Sequence, residues 1–329
     1  MGILEGSCSQ QTALILPSNQ NPLGALPARF RRERLLIVGC GDVGQRVARN
    51  LNTGPGAGRL QVLALTSTPG RVEALRRLGV RPLVGNLDDA TTLRRLAGLA
   101  TRVLHLAPPP GEGAAGGRWW LDPRTVALAR ALRQRSLPQS LVYASTSGVY
   151  GDCQGARVPE TRPLAPATPR AQRRVNAERA VRHLGRAGVR ASLLRIPGIY
   201  APDREGGTPE ARLRRGTPVL VAEDDVFTNH IHADDLARAL LAAIWKARPQ
   251  RAYNISDSTH MKMGDYFDLA ADMYGLPRPP RVPRNTAQDQ LPLMLLSFMS
   301  ESRRLENHRM QQELGVRLRY PSVAEGLRT

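Results

Sequence analysis

Short apolar runs alternate with amphipathic stretches along most of this chain. The first apolar run is Leu35–Val38, and Val43, Val47 and Leu51 then recur at the spacing of one helical face. A short continuous apolar run suits a parallel strand that is buried on both faces of a sheet. The pattern therefore predicts a buried strand, a tight turn and a helix.

The same alternation repeats after this first unit. Further strands are predicted at 60–65, 80–84, 103–107 and 140–144, and helices at 72–78, 90–99 and 123–135. Strands that alternate with helices favour a parallel sheet with right-handed crossovers. We therefore predict an α/β fold, a doubly wound parallel sheet of the Rossmann type over residues 34–200. Ligands of such sheets bind at the carboxyl ends of the strands.

Other parts of the chain lack this alternation. Residues 1–33 are rich in Gln, Asn, Pro and Ser and show no sustained periodicity, so we predict a disordered leader there. The glycines of residues 111–117 predict a flexible loop. Residues from about 201 to 225 and from about 276 to 312 break the pattern with Pro, Gly and Arg.

Three glycines follow the first strand at the spacing G-x-G-x-x-G: Gly39, Gly41 and Gly44. In this motif the glycines permit a tight turn, close approach of a pyrophosphate and close helix packing, while the helix N–H groups face the anion. The setting between strand and helix predicts a dinucleotide site that includes Asp42 and Val43. A plain tight connection without a ligand is the alternative. The Asp42 carboxylate suits a helix start but lies unfavourably for a pyrophosphate.

The end of the second strand bears on the choice of cofactor. An acidic residue there would bind a ribose 2′-hydroxyl and indicate NAD, but the chain has Thr66, Ser67 and Arg71. Room for a 2′-phosphate beside an arginine favours NADP. The alternative is that the hydroxyls start a turn and the arginine is solvated.

The ends of the third and fourth strands are predicted to complete the cofactor site. The residues expected to contact the cofactor there are Asn86, Leu87, Leu106, Ala107 and Pro108. Asp88 is expected to cap the following helix. His105 lies inside an apolar strand, which indicates a core histidine rather than a catalytic one.

Composition excludes several classes of protein. The net charge of +19 is almost entirely arginine, spread through every segment without a basic tail or an aromatic-interleaved patch, so specific nucleic-acid binding is not predicted. Phosphates of a cofactor or substrate are better partners for some of these arginines. No apolar run is long enough to span a bilayer, and a cytoplasmic protein is expected. The cysteines Cys8, Cys40 and Cys153 lack metal-ligand spacing, so neither a metal site nor a disulfide framework is predicted.

Three hydroxyl residues, Ser145, Thr146 and Ser147, follow the fifth strand, on the same predicted rim as the glycine turn. Their placement favours contact with a substrate, although such a cluster also caps turns. The segment 145–151, Ser-Thr-Ser-Gly-Val-Tyr-Gly, resembles a signature of the extended short-chain dehydrogenase/reductase superfamily, in its NAD-dependent epimerase/dehydratase group. Further segments resemble that family in the family's order: 194–200, 229–237, 253–257 and 313–321.

The resemblance implies roles for particular residues. Thr146 matches a Ser/Thr that hydrogen-bonds the substrate, with Ser145 and Ser147 beside it, and Pro197 and Ile199 match a segment that meets the nicotinamide. Residues 201–329 would form mostly a smaller C-terminal substrate lobe, with 226–270 returning to the Rossmann core. Homodimerisation through helices is a further implication of the resemblance.

The chain departs from the family at its catalytic pair. Counting back from Glu178, the family's tyrosine position falls on Arg170 and its lysine position on Arg174. In the family the tyrosine is the acid/base, whereas an arginine keeps its proton near neutral pH. Arg174 remains a candidate for contact with ribose or phosphate, and the alternative is that both are exposed helix arginines. Val38 also replaces the first glycine of the family's usual G-x-x-G-x-x-G.

Two functions are compatible with these residues. One is an NAD(P)-dependent oxidoreductase, epimerase or dehydratase that acts on a sugar-like or nucleotide-sugar substrate by hydride transfer. The other is a non-catalytic NAD(P)-binding redox sensor or scaffold, which the missing pair supports. Four arginines could bind an anionic substrate or be solvated: Arg204, Arg212, Arg214 and Arg215. Three further residues could face the cleft: Asp225, His230 and His232.

Overall fold

The computed structural model describes residues 33–53, 58, 60–111 and 118–328. Apart from Glu33, the predicted disordered leader lies outside the described residues, and so does most of the predicted flexible loop at 111–117.

Seven parallel strands form the main sheet, in the order β3–β2–β1–β4–β5–β7–β12. Their bounds are β1 (Arg34–Val38), β2 (Gln61–Thr66), β3 (Arg81–Val84), β4 (Arg102–His105), β5 (Ser140–Thr146), β7 (Arg190–Ile196) and β12 (Ala252–Asn254). The order reverses between β1 and β4, so the sheet is doubly wound, and the predicted Rossmann-type α/β fold is confirmed. A crevice is expected at this switch point, outside the carboxyl ends of the strands.

Eight short strands of the described chain form four separate pairs. These are β6 (Arg157–Val158) with β15 (Arg304–Leu305), β8 (Gly198–Tyr200) with β11 (His230–His232), β9 (Val219–Leu220) with β14 (Arg281–Val282), and β10 (Phe227–Thr228) with β13 (Met261–Lys262). The last pair is antiparallel and the others are parallel.

The described helices have these bounds: α1 (Asp42–Thr53), α2 (Val72–Arg77), α3 (Ala90–Leu93), α4 (Pro123–Leu132), α5 (Pro169–Gly185), α6 (Glu210–Arg214), α7 (Ala233–Lys246), α8 (Met263–Tyr274), α9 (Arg284–Gln290), α10 (Leu293–Met299), α11 (His308–Leu314) and α12 (Val323–Gly326). None of them is long and apolar enough to cross a membrane.

The predicted helix at 90–99 is shorter in the structure, and its cap differs. After α3 the chain tightens into a 3₁₀ turn at Arg94–Leu96. Asp89 caps α3 by accepting a hydrogen bond from the Thr91 N–H, at 2.9 Å. The prediction that Asp88 is the cap is wrong, because its carboxylate instead pairs with Arg124.

Alternating strand residues build two apolar layers on the two faces of the sheet. Leu35 and Ile37 of β1 pack in the layer that includes residues of α1 and α7. Leu36 and Val38 belong to the opposite layer, with residues of α3, α4 and α5. Both faces of β1 are therefore buried, which explains why its sequence is continuously apolar.

A third apolar cluster lies in the C-terminal part of the chain. It is built around α8, whose Tyr266, Phe267 and Ala270 are buried, together with Tyr200 and Leu213. The segment 230–246, which precedes α8 in the chain, returns to the main sheet. Its helix α7 packs beside α1, in the apolar layer that contains Leu35 and Ile37. Asp234 and Asp235 stand in the first turn of α7, where carboxylates suit the positive end of the helix dipole.

Candidate cofactor and substrate site

A cleft of about 340 Å³ lies at the carboxyl ends of β1 to β4. Ten residues predicted to bind a cofactor line this cleft: Gly39, Gly41, Thr66, Ser67, Arg71, Asn86, Leu87, Leu106, Ala107 and Pro108. They come from four separate strand ends, and the parallel sheet brings those ends to one edge. Position in the cleft is compatible with cofactor contact for each of them.

The three glycines of the turn meet three different requirements. Gly39 has φ +89°, and a Cβ there would lie 2.5 Å from the Ala107 nitrogen, so only glycine fits. A Cβ on Gly41 would meet no atom of the described residues within 4 Å, so this backbone borders open space among them. A Cβ on Gly44 would stand 3.3 Å from Ile37 Cγ2, which reflects close packing of α1 on β1.

This arrangement fits a dinucleotide. The open space beside Gly41 lies at the N-terminus of α1, where backbone N–H groups and the helix dipole favour a pyrophosphate. Gly44 and the half-buried Val43 lie on the packed side of α1 and do not belong to the described lining of the cleft.

The Asp42 carboxylate at the glycine turn is engaged in ion pairs with two arginines. Its carboxylate lies 3.2 Å from Arg46 Nε and 3.5 Å from Arg204 Nε. Arg46 is buried and also contacts Asp203 and Asp234, each at 2.6 Å. Two guanidinium groups thus offset the negative charge of Asp42 near the glycine turn. Sequence reasoning did not identify Arg46, because only its partner Asp42 lies close to it in the chain, whereas Asp203 and Asp234 are far away in sequence.

The β2 side of the cleft has no carboxylate among its described lining residues. Thr66 Oγ1 accepts a hydrogen bond from the Thr68 N–H at 3.2 Å, which orders the turn after the strand. Ser67 and Arg71 are exposed beside it. The wall is therefore neutral to positive, and a phosphate is compatible with it.

Arg124 is a second cationic lining residue, and sequence reasoning missed it. It stands near the start of α4, where Asp88 accepts two hydrogen bonds from its guanidinium at 2.7 and 2.6 Å. These hydrogen bonds lower the pKa of Asp88, so the pair stays charged at neutral pH. The pair joins the loop after β3 to α4, and no local sequence pattern connects residues so far apart.

The predicted hydroxyl cluster has one half-buried member and two buried members. Thr146 is half-buried at the end of β5, and its Oγ1 accepts a hydrogen bond from the Gly148 N–H at 3.3 Å. Ser145 and Ser147 are buried. Ser145 Oγ donates to Glu178 Oε1 at 2.7 Å. Thr146 is therefore the most accessible member of the cluster, although it is not among the described lining residues of the cleft, and Ser145 is engaged inside the fold.

Glu178 belongs to a buried polar network behind the cleft. Arg195 donates to Glu178 Oε2 at 2.9 Å and to the Tyr150 hydroxyl at 2.9 Å. Tyr150 in turn donates to Asn254 Oδ1 at 2.7 Å. Burial raises the pKa of Tyr150 to about 12. Tyr150 is thus packed inside the fold, and its hydroxyl is poorly suited to release a proton.

Arg170 and Arg174, which the resemblance assigned to the family's Tyr and Lys positions, occupy different environments. Arg174 Nη1 donates to the Ala144 carbonyl at 2.7 Å and to the Tyr143 hydroxyl at 3.1 Å, so it lies against the end of β5. Arg170 is exposed, and its guanidinium carbon lies 4.8 Å from the centre of the Phe298 ring. Neither side chain can accept a proton from a substrate.

The predicted histidine candidates are buried rather than open to the cleft. His105 Nε2 lies 2.8 Å from Thr125 Oγ1, which confirms a core position. The ring of His230 packs 4.3 Å from that of Tyr266, and burial lowers its pKa to about 4. His232 caps α7 by accepting from the Asp234 N–H at 3.2 Å.

The remaining predicted residues are placed as follows. Asp225 is nearly buried and accepts a hydrogen bond from the Gly264 N–H at 2.9 Å. Pro197 and Ile199 lie just beyond β7, with Ile199 paired to Ile231 in the β8–β11 ladder. They share the carboxyl edge with the cleft but are not among its described lining residues.

Three of the four predicted anion-binding arginines have other contacts. Arg214 pairs at 2.7 Å with the glutamate one turn earlier, and Arg212 stacks 4.3 Å from the Phe267 ring. Arg204 donates to a backbone carbonyl at 2.8 Å as well as contacting Asp42. Arg215 is exposed.

No set of three or more His, Cys, Asp or Glu residues in the described chain could hold a metal ion. Cys40 and Cys153 are free and buried. Cys40 lines the cleft, and burial raises the pKa of its thiol to about 11, so it is not an activated nucleophile.

Comparison with known proteins adds sequence and fold relatives. Residues 35–256 match the model of the NAD dependent epimerase/dehydratase family. No curated protein matches the chain significantly. A solved structure of a conserved protein of unknown function from Silicibacter pomeroyi is 30% identical, with 90% of this chain and 97% of that chain covered and a TM-score of 0.69.

Two structures of characterised enzymes share the fold at lower identity. UDP-glucose 4-epimerase from Thermotoga maritima, solved with UDP-glucose, is 20% identical, with 89% of this chain and 96% of that chain covered and a TM-score of 0.72. DesIV, a dTDP-glucose 4,6-dehydratase from Streptomyces venezuelae solved with NAD and TYD, is 22% identical, with 89% and 94% covered and a TM-score of 0.71.

Proposed function

Because the chain belongs to the NAD dependent epimerase/dehydratase family, we propose that it binds a nicotinamide dinucleotide and acts on a sugar-like or nucleotide-sugar substrate. The observation that carries the cofactor proposal is the open backbone at Gly41, set between a tight glycine turn and the N-terminus of α1. Residues 201–329 supply most of the substrate lobe in this proposal. Within the predicted core segment 226–270, α7 and β12 pack with the main sheet, whereas α8 packs in the C-terminal cluster.

The cleft supports one orientation of the cofactor. In this proposal Gly41 and the N-terminus of α1 would hold the pyrophosphate, the ends of β2 and β3 would hold the adenosine, and Thr146, Pro197 and Ile199 would border the nicotinamide. Arg71 and the absence of a carboxylate from the described lining favour NADP over NAD. The related DesIV structure holds NAD, so the preference needs a direct measurement.

Hydride transfer is the chemistry that a bound nicotinamide supplies. Thr146 is the rim residue proposed to orient a substrate hydroxyl, and Arg174 to contact ribose or phosphate in addition to its bonds with β5. Arg170 cannot take the substrate proton, so the acid/base of this chain is not at the family's tyrosine position. This same observation favours a second candidate function, a non-catalytic NAD(P)-binding sensor or scaffold.

Cofactor binding is tested first, by titrating the protein with NADPH and NADH and following its melting temperature. A cofactor that binds the folded state raises the melting temperature with concentration. We expect both to do so, with NADPH effective at lower concentration and Arg71→Ala removing the difference. Failure of both cofactors to raise the melting temperature would overturn the proposal.

The enzymatic part is tested with UDP-glucose and dTDP-glucose, following nicotinamide absorbance and product sugars. We expect slow turnover that Thr146→Ala reduces at least tenfold and that Thr146→Ser largely retains, because Ser keeps the hydroxyl. Tight cofactor binding without turnover of either sugar, and without any effect of Thr146→Ala, would instead support the sensor or scaffold.

A further inference from the structure

The first two turns of α5 contain three arginines whose charges are not paired. Arg170, Arg173 and Arg174 form no ion pair with any described carboxylate. Three acidic groups lie nearby, and each is already engaged. The buried Asp122 interacts electrostatically with Arg174 without an ion pair, and it accepts a hydrogen bond from Thr125 Oγ1 at 2.6 Å. Glu178 is held by Arg195 at 2.9 Å, and Glu301 is held by Arg303 at 2.8 Å.

The three guanidinium groups are fixed by neutral partners. Arg173 is only 5% exposed; it donates to the Trp119 carbonyl at 3.1 Å, and its buried Nε has no partner. Arg174 is held by the Ala144 carbonyl, and Arg170 by the face of Phe298. Carbonyl oxygens and an aromatic face orient a guanidinium, but they do not cancel its charge.

The surroundings add positive potential at the same place. Arg170 interacts electrostatically with Arg173, Arg174 and Arg303, and Glu301 opposes them. Arg170 is also the second residue of a 17-residue helix, so it lies at the positive end of the dipole of α5. A buried charge that lacks a counter-ion is costly, and a bound anion would relieve that cost.

We propose that the N-terminal turns of α5 bind an anionic group of the ligand, a carboxylate or a phosphate, at the position where related enzymes carry their acid/base. The exposed, stacked fork of Arg170 makes the direct contact, because a planar guanidinium binds such groups with two parallel hydrogen bonds. Arg173 and Arg174 add to the positive electrostatic potential at Arg170. The inference rests on the proposed function, because it places the anionic group on the substrate beside the cofactor.

The test uses simple anions, so that it does not depend on the identity of the substrate. Malonate and inorganic phosphate are titrated by calorimetry into the protein with and without bound cofactor, against sodium chloride of equal ionic strength. We expect saturable binding that Arg170→Gln weakens at least tenfold and Arg170→Lys weakens less, since Lys keeps the charge but lacks the fork. Comparison of the two anions distinguishes a carboxylate from a phosphate site.

Arg179→Gln is the matched control, because Arg179 is an exposed arginine on the same helix and its loss changes the net charge equally. We expect it to bind both anions like the wild type. A second comparison uses UDP-glucuronic acid and UDP-glucose, which differ by one carboxylate. Preference for the acid that disappears in Arg170→Gln would identify the anion as a substrate group.

Each outcome separates the inference from the proposed function. Absence of saturable anion binding, or equal weakening in Arg170→Gln and Arg179→Gln, would overturn the inference even where cofactors bind. Failure of both cofactors to bind would overturn the proposed function, while the anion titration of the free protein still decides the inference. Melting temperatures of the variants confirm that each remains folded.

Discussion

At the residue scale, Gly39 and Gly41 of the glycine turn lie in different steric surroundings. Gly39 is required by a positive φ and by the Ala107 backbone, which leaves no room for a side chain. Gly41 has free space around it, so the fold itself does not demand a glycine there. The open space beside Gly41 leaves room for a group that approaches from outside, and the proposed pyrophosphate would use that space.

Substitution by alanine therefore separates folding from binding at these two positions. We expect Gly41→Ala to melt like the wild type but to bind NADPH and NADH at least tenfold more weakly, because its methyl group intrudes on the pyrophosphate. Gly39→Ala should lose about 1–3 kcal/mol of stability or more from the strained φ alone. Thermal melts and cofactor titrations of both variants measure the two effects. Wild-type affinity in Gly41→Ala would show that no pyrophosphate lies there.

At the element scale, buried polar contacts tie the strands behind the cleft to α5. Ser145 of β5 and Arg195 of β7 both bond to Glu178 of α5, and Arg195 and Glu178 are almost completely buried. Arg195 also reaches Tyr150, which connects the network to Asn254 of β12. The hydroxyl of Ser145 thus orders the strand end that presents Thr146.

Removal of the carboxylate should be much more damaging than removal of the hydroxyl. Glu178→Ala leaves the Arg195 charge buried and unpaired, and we expect it to cost about 3–5 kcal/mol of unfolding free energy. Ser145→Ala removes one hydrogen bond and should cost about 1 kcal/mol. Denaturant unfolding measures both.

Glu210→Ala is the control for this comparison, because it breaks an ion pair with Arg214 in which both side chains are largely exposed. Such pairs contribute at most about 1 kcal/mol, so little change is expected. A loss in Glu178→Ala no larger than that in Glu210→Ala would contradict the assigned role of the buried network.

At the scale of the whole molecule, the free energy of unfolding depends on pH through buried titratable groups, and the buried histidines and a buried aspartate act in opposite directions. Burial lowers the pKa of His105 to about 3, with Arg174 contributing, and that of His230 to about 4. The unfolded chain binds these protons near pH 6.5 and the folded chain does not, so stability falls as pH drops from about 6.5 toward 4. Burial raises the pKa of Asp257 from 3.8 to about 8. The folded chain then keeps a proton that the unfolded chain releases, so this group lowers stability as pH rises from about 4 to 8.

Variants at two of these positions should therefore shift the pH profile in opposite directions. His230→Phe keeps the packing on Tyr266. It should reduce by about 2 kcal/mol the free energy of unfolding that the protein loses between pH 7 and pH 5. Asp257→Asn should stabilise the protein, and more at pH 8 than at pH 5. Unfolding free energies across pH 5 to 8 measure both changes. A parallel pH profile for either variant and the wild type would contradict the corresponding titration.

Much of the fold and of the cofactor cleft follows from the sequence, because the signals are local. Apolar runs of a few residues mark strands buried on both faces, and Gly39, Gly41 and Gly44 mark the turn within six positions. Parallel strands place their carboxyl ends on one edge, so residues after four different strands were predicted to share a site and do line one cleft. The assignment of Arg170 and Arg174 to the family's catalytic positions, which rests on a count back from Glu178, stays a prediction.

The tertiary structure alone decided which polar groups satisfy one another. Arg124 meets Asp88 across 36 positions, Ser145 meets Glu178 across 33, and Arg46 meets Asp234 across 188. No periodicity encodes such pairs, because their geometry arises only when separate elements pack. For the same reason the sequence could suggest a hydroxyl cluster at the rim, but only the packing of α5 against β5 turns Ser145 inward. The same packing leaves Arg170, Arg173 and Arg174 without an ion pair in the described chain.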